Sequence, residues 1–102
     1  LLASLGGSFA RADTRCVLVL NSYHEGYHWT GRIMRGIHPV MDPQPDVEIF
    51  IHYMDAKRIS DDTQIQLLHD LLKHEYQSQK MDIIVSTDDS ALDCLLKYRW
   101  IN

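Results

Sequence analysis

The sequence predicts an α/β fold, a three-layer parallel sheet whose elements run β-α-β-α-β-α. Three observations carry this. Residues 16–20 (C-V-L-V-L) and 82–86 (D-I-I-V-S) are short apolar runs rich in β-branched side chains, as in buried strands, and 47–54 has strand character centred on Ile49, Phe50 and Ile51. The stretch after each of them repeats its apolar residues at helical spacing. Strands that alternate with helices in this way pair in parallel through right-handed crossovers.

Taken in order, the first strand, 16–20, runs into the polar and aromatic loop N-S-Y-H-E-G-Y-H-W-T. Trp29, Ile33, Met34 and Ile37 then mark a helix face, with Thr30 as N-cap and Trp29 packed beneath the helix. Pro39 is predicted to end that helix, because proline has no backbone donor and disfavours helix in the residue before it. Residues 42–46 (D-P-Q-P-D) form a turn, and 47–54 is the second strand. The next helix is capped by Ser60 or Asp61 and carries Asp61 and Asp62 at its positive end. Its apolar face is Ile65, Leu68, Leu72 and Tyr76, widened by Leu67 and Leu71 into a core stripe. After the third strand, Thr87, Asp88 and Asp89 form the outgoing loop, and 90–99 is helical with Ala91, Leu95 and Tyr98 on one side.

Composition narrows the function. The 102 residues allow one small domain at most. Residues 1–9 are small and apolar, and Ala10-Arg11-Ala12 has the form of a signal-peptidase site, so residues 1–12 are read as a signal-peptide remnant and 13–102 as the α/β unit. No other stretch approaches the roughly 20 apolar residues of a membrane span. Without Arg11 the chain has 9 basic against 14 acidic residues, a formal charge of −5. The only adjacent basic pair is Lys57-Arg58, which makes nucleic acid a poor partner. Cys16 and Cys94 lack metal-ligand spacing and suit buried thiols, with a disulfide between them left open for a secreted chain.

The chemistry-bearing residues gather after the strands, where open α/β sheets bind ligands. His24-Glu25-Gly26-Tyr27-His28 spells the zinc-hydrolase pattern H-E-x-x-H. That chemistry needs both imidazoles one turn apart on a helix, and here the letters follow a strand and include a glycine. A metal-dependent hydrolase is therefore the alternative, and no metal or cofactor is expected. Dinucleotide and P-loop glycine patterns do not occur. His38, His69 and His74 are read as solvated, and His52 as a core or edge histidine. Tyr23, Tyr27 and Trp29 offer flat apolar faces, while Asn21, Ser22 and His24 offer donors and acceptors, a mixture suited to a small organic ligand. Asp88 and Asp89 also suit simple helix capping.

The motifs V-L-V-L-N-S-Y-H-E-G-Y-H-W-T with R-I-M-R-G-I, then Y-M-D-A-K-R-I-S-D, then D-I-I-V-S-T-D-D-S-A-L-D with L-L-K-Y-R resemble, in that order, the ABC-transporter substrate-binding-protein-like family. The resemblance runs from about residue 15 to 99. It implies the periplasmic-binding-protein type I architecture, in which two α/β lobes close over a ligand. Such domains occur as free solute-binding proteins serving an ABC permease, or as extracytoplasmic sensors of histidine kinases and related signalling proteins. These residues correspond to the first part of one lobe. The resemblance places Ser22, Tyr23 and His24, the Asp55 region and Thr87 to Asp89 at the cleft. The expected protein is a periplasmic, non-catalytic binding domain, with its second lobe and any membrane or kinase modules downstream. A homodimer is possible, and a non-binding structural fragment with a self-associating sheet edge is the remaining alternative.

Overall fold

The computed structural model describes residues 14–98. The expected signal remnant and the stretch from Arg99 to Asn102 lie outside the described residues. The order of elements is β1 (Arg15–Asn21), α1 (His28–Met41), β2 (Val47–Tyr53), α2 (Asp62–Glu75), β3 (Ile83–Thr87) and α3 (Asp88–Tyr98). This is the α/β alternation that the sequence predicts. The three strands form one parallel sheet in the order β2-β1-β3. The register sets Val17 beside Ile49 and Ile83, and Asn21 beside Tyr53 and Thr87.

Because β2 and β3 flank β1 on opposite sides, the chain reverses direction across the sheet. Right-handed crossovers then require α1 and α2 to cover opposite faces. The core divides accordingly. On one face Val17, Val19 and Met34 are buried with Ile37, Met41, Ile49, Ile51 and Val85 packed on them. On the other, Leu20, Met54, Leu72, Ala91 and Cys94 are buried with Ile65, Leu68, Tyr76, Leu95 and Tyr98 around them. Val17, Leu18, Val19 and Leu20 are all at most 2% exposed, so β1 is the central strand, covered on both sides. Each such side chain contributes about 1.5–3 kcal/mol relative to exposure. Among the described residues, no helix is long and apolar enough to cross a membrane.

The structure corrects several details. The first helix starts at His28, and its N-cap is Tyr27 rather than Thr30, with no side-chain cap bond. Gly26, at φ +93°, turns the chain so that Tyr27 leads straight into the helix. Thr30 is therefore inside the first turn, where it is buried. Pro39 does not end the helix, which continues to Met41. Near the C-terminus proline removes one ladder bond, and two things offset it: Met41 packs on the Val17 cluster, and Asp42 N–H donates to the His38 carbonyl at 2.9 Å.

In α2 the cap is Asp61, in a capping box with Gln64: Gln64 N–H donates to Asp61 Oδ1 at 2.8 Å and the Gln64 side chain accepts from Asp61 N–H. Ile65, Leu68, Leu72 and Tyr76 face the core as predicted. Leu67 and Leu71 do not, being 63% and 55% exposed. The face instead widens on its other side to His69, which is buried with its ring centroid 5.1 Å from that of Tyr98. The side chain that meets the neighbouring helix wins the buried position. Thr87 closes β3 instead of starting a loop, and α3 begins at Asp88. Cys16 and Cys94 carry thiols, not a disulfide. Burial raises the Cys94 thiol pKa, keeping it protonated.

Candidate functional site

The carboxyl edge of the sheet collects the loops after β1, β2 and β3, and it has two parts. The first is the seam between β1 and β3. Asn21 and Ser22 are fully buried there. Ser22 Oγ donates to the Thr87 carbonyl and accepts from Ala91 N–H at 2.8 Å, tying β1 to the first turn of α3. Thr87 Oγ1 donates to Asn21 Oδ1 at 3.0 Å, and Asn21 Nδ2 lies 3.5 Å from Met34 Sδ. Asn21, Ser22 and Thr87 were expected to face a ligand; they turn inward. A polar side chain at the end of a buried strand has to be satisfied, and here the neighbouring strand supplies the partner.

Above this seam Trp29 Nε1 donates to Asp88 Oδ2 at 2.7 Å. Trp29 is 48% exposed, so it spans the outside of the seam instead of packing beneath its helix. Asp88 has φ 66°. This left-handed conformation costs least for glycine, asparagine and aspartate. Asp89 is exposed in the first turn of α3, where a carboxylate suits the helix dipole.

The second part is the mouth between the loops after β1 and β2. Two backbone bonds position it: Met54 N–H to the Asn21 carbonyl and Ala56 N–H to the Ser22 carbonyl, each 2.8 Å. They bring Tyr23, His24, Tyr27 and Asp55 together. The Tyr23 and Tyr27 rings meet edge to face at 5.2 Å, and the His24 ring lies 5.5 Å from Tyr27. Asp55 is the other left-handed aspartate, at φ 65°. Its Oδ1 stands 3.5 Å from His24 Nδ1 and 3.3 Å from Arg58 Nε. Both the Asp55 Oδ1 and His24 Nδ1 atoms are inaccessible to solvent, yet neither makes a hydrogen bond of good geometry. Asp55 and Arg58 attract at ion-pair distance, with the His24 imidazole beside them, without docking. Lys57 Nζ lies 4.9 Å from the Tyr27 ring centroid and 5.2 Å from that of Tyr23. At the end of β2, burial and the nearby Glu25 carboxylate raise the Tyr53 pKa, so its phenol stays neutral.

Of the predicted site residues, then, Tyr23, His24, Tyr27 and Asp55 share the mouth, Asn21, Ser22 and Thr87 are buried in the seam, and Asp88 and Asp89 begin α3. Sequence reasoning missed Lys57, Arg58 and the Trp29–Asp88 pair. Lys57-Arg58 stood out as the one adjacent basic pair, and its position two residues after Asp55 was the available signal. Nothing in the sequence pairs Trp29 with Asp88, which are 59 positions apart.

His24 and His28 do not share a helix. His24 precedes the Gly26 turn and His28 opens α1, so the one-turn spacing of a zinc motif is not realised. Among the described residues, no three His, Cys, Asp or Glu side chains converge to hold a metal ion. A separate groove of about 590 Å³ lies between the start of α2 and the length of α3, lined by Ile59, Asp62, Ile65, Ser90, Asp93 and Lys97 among others. It is bridged by Lys97 Nζ to Asp62 Oδ1 at 2.7 Å and shares with the mouth only the loop after β2. The mouth carries the more varied chemistry, with two aromatic faces, an imidazole, a carboxylate and two cations.

No family model, curated protein or solved structure matches the chain significantly. The functional reading therefore rests on the residues themselves.

Proposed function

We propose that this chain is part of a non-catalytic small-molecule-binding domain, and that the mouth formed by Tyr23, His24, Tyr27 and Asp55 is one wall of its ligand cleft. The observation that carries this reading is the position and chemistry of that mouth. It lies at the carboxyl ends of parallel strands, where such folds bind ligands. It offers aromatic faces beside polar atoms whose own hydrogen bonds are unmade. The sequence resemblance to substrate-binding-protein-like domains points the same way, toward an extracytoplasmic sensor or the solute-binding component of an ABC permease. In that setting a second lobe supplies the opposite wall.

The test is a thermal-shift and calorimetry screen of the full-length protein against a metabolite panel, repeated with Tyr23→Leu and His24→Ala. A ligand whose Kd weakens at least about tenfold in both variants, at unchanged Tm, supports the reading; that factor is the loss of about 1.4 kcal/mol of contact. A ligand indifferent to both substitutions would sink it.

A further inference from the structure

The geometry points to a cation site in the notch between Tyr23 and Tyr27, occupied here by the chain's own Lys57, so that the ligand of this mouth carries an organic ammonium that takes the place of Lys57. The inference rests on the reading of the mouth as a ligand surface and names the charge class of its ligand.

Two edge-to-face tyrosines present their negative ring faces to one point, and the Lys57 ammonium sits 4.9 and 5.2 Å from their centroids. Both distances are within the range over which a ring quadrupole holds a cation. Lysine is a poor permanent occupant. It is the exposed side of a loop, on a flexible four-carbon stem, and its ammonium is strongly hydrated. A more weakly hydrated alkylammonium gives up less water on entering an aromatic notch.

The neighbouring charges suit the exchange. Asp55 Oδ1, close by on the same loop, has no well-formed hydrogen bond. Arg58 and His24 both stand on its side at 3.3 and 3.5 Å, so the carboxylate is screened but not saturated. The displaced Lys57 ammonium stays tethered to the exposed loop and swings into water, so the ligand's ammonium brings one added positive charge beside the Asp55 carboxylate. The chain's formal charge of −4 further favours the approach of a cation.

The probe is tetramethylammonium chloride, with tert-butanol as the neutral molecule of similar size and sodium chloride as the salt control. Ring resonances of Tyr23 and Tyr27 are followed by NMR in the full-length protein, in Lys57→Gln and in Tyr23→Leu. Emptying the notch is expected to tighten tetramethylammonium binding roughly twofold to fivefold, the range of an exposed cation–π contact. Shifts on both tyrosines, absent with tert-butanol and lost in Tyr23→Leu, support the site. Equal affinity in Lys57→Gln and the parent, or shifts reproduced by tert-butanol, overturns it. Far-ultraviolet dichroism checks that Tyr23→Leu folds; if it does not, the Lys57→Gln comparison alone decides. A neutral or acidic metabolite bound at Tyr23 and His24 without any tetramethylammonium effect overturns the cation site and leaves the binding-domain reading standing. Tetramethylammonium effects with no metabolite binding support the site and count against that reading alone.

Discussion

β1 is flanked by two neighbours, and the chain treats the two junctions differently. Toward β3, uncharged side chains that are fully or nearly buried, Asn21, Ser22 and Thr87, bond to one another and to the first turn of α3. Toward β2, the junction above the strands is made of charged and aromatic groups held at 3.3 to 5.5 Å, with polar atoms left unpaired. The seam holds the sheet together, and the mouth keeps its side chains available. A parallel sheet normally offers its crevice at the point where the strand order reverses, here between β1 and β3. In this chain that crevice is laced shut and the open chemistry has moved one strand over.

The largest expected effect comes from cutting the seam. Ser22→Ala removes a hydroxyl that both donates and accepts out of water, stranding Ala91 N–H. Leaving a buried donor unpaired costs about 1–3 kcal/mol, so the urea midpoint should fall with m unchanged. His24→Ala at the mouth should change the unfolding free energy by less than about 0.5 kcal/mol, as for a partly exposed surface group. Equal losses from the two substitutions would erase the distinction between the junctions.

The left-handed aspartates come next. Asp88→Gly loses the bond to Trp29 but relieves the backbone, while Asp88→Ala loses the bond and keeps the strain. Alanine should therefore be less stable than glycine by about 1 kcal/mol. The same pair of substitutions at Asp55 should show the same ordering, since φ is nearly equal. Both Asp88 variants should also change the fluorescence of Trp29, by removing its indole partner, and both Asp55 variants should leave it unchanged. Glycine no better than alanine at Asp88 would mean that its backbone is not under strain.

How much of this could be read from the letters follows from what sets each feature. The three strands and their alternation with helices were legible, most clearly where burial on both faces forces a continuous apolar run, as in residues 17–20. The capping box of α2 was half legible: Asp61 was one of two candidate caps, and Gln64, three residues on, completes it. Proline at 39 misled because its local penalty was smaller than the tertiary gain of packing Met41. Leu67 and His69 misled together, because hydropathy says nothing about which flank of a helix meets its neighbour. That Tyr23, His24 and Tyr27 would gather at the carboxyl edge was legible from their place after a strand, and the family resemblance added Asp55. The inward turn of Asn21, Ser22 and Thr87 was not, since one polar residue at a strand end looks like another until its partner is known.

Acid provides the smallest test and the one most specific to the comparison. His52 lies in β2 next to Tyr53, and burial lowers its pKa below 6.5, with Glu75 opposing. A base whose folded pKa is depressed binds its proton more readily in the unfolded chain. Its penalty is therefore absent above the unfolded value near 6.5 and grows as pH falls from there toward the folded pKa. The buried members of the seam, Asn21, Ser22 and Thr87, carry no group that titrates in this range. Lowering pH from about 7.5 to about 5.5 should thus weaken the β2 side first, across the range in which histidine changes charge. His52→Gln should lose less stability over that interval than the parent chain, in urea melts at both values. In the parent, amide exchange should accelerate more in β2 than in β3. Uniform acceleration across both edge strands would assign the acid response to the whole sheet instead of to His52.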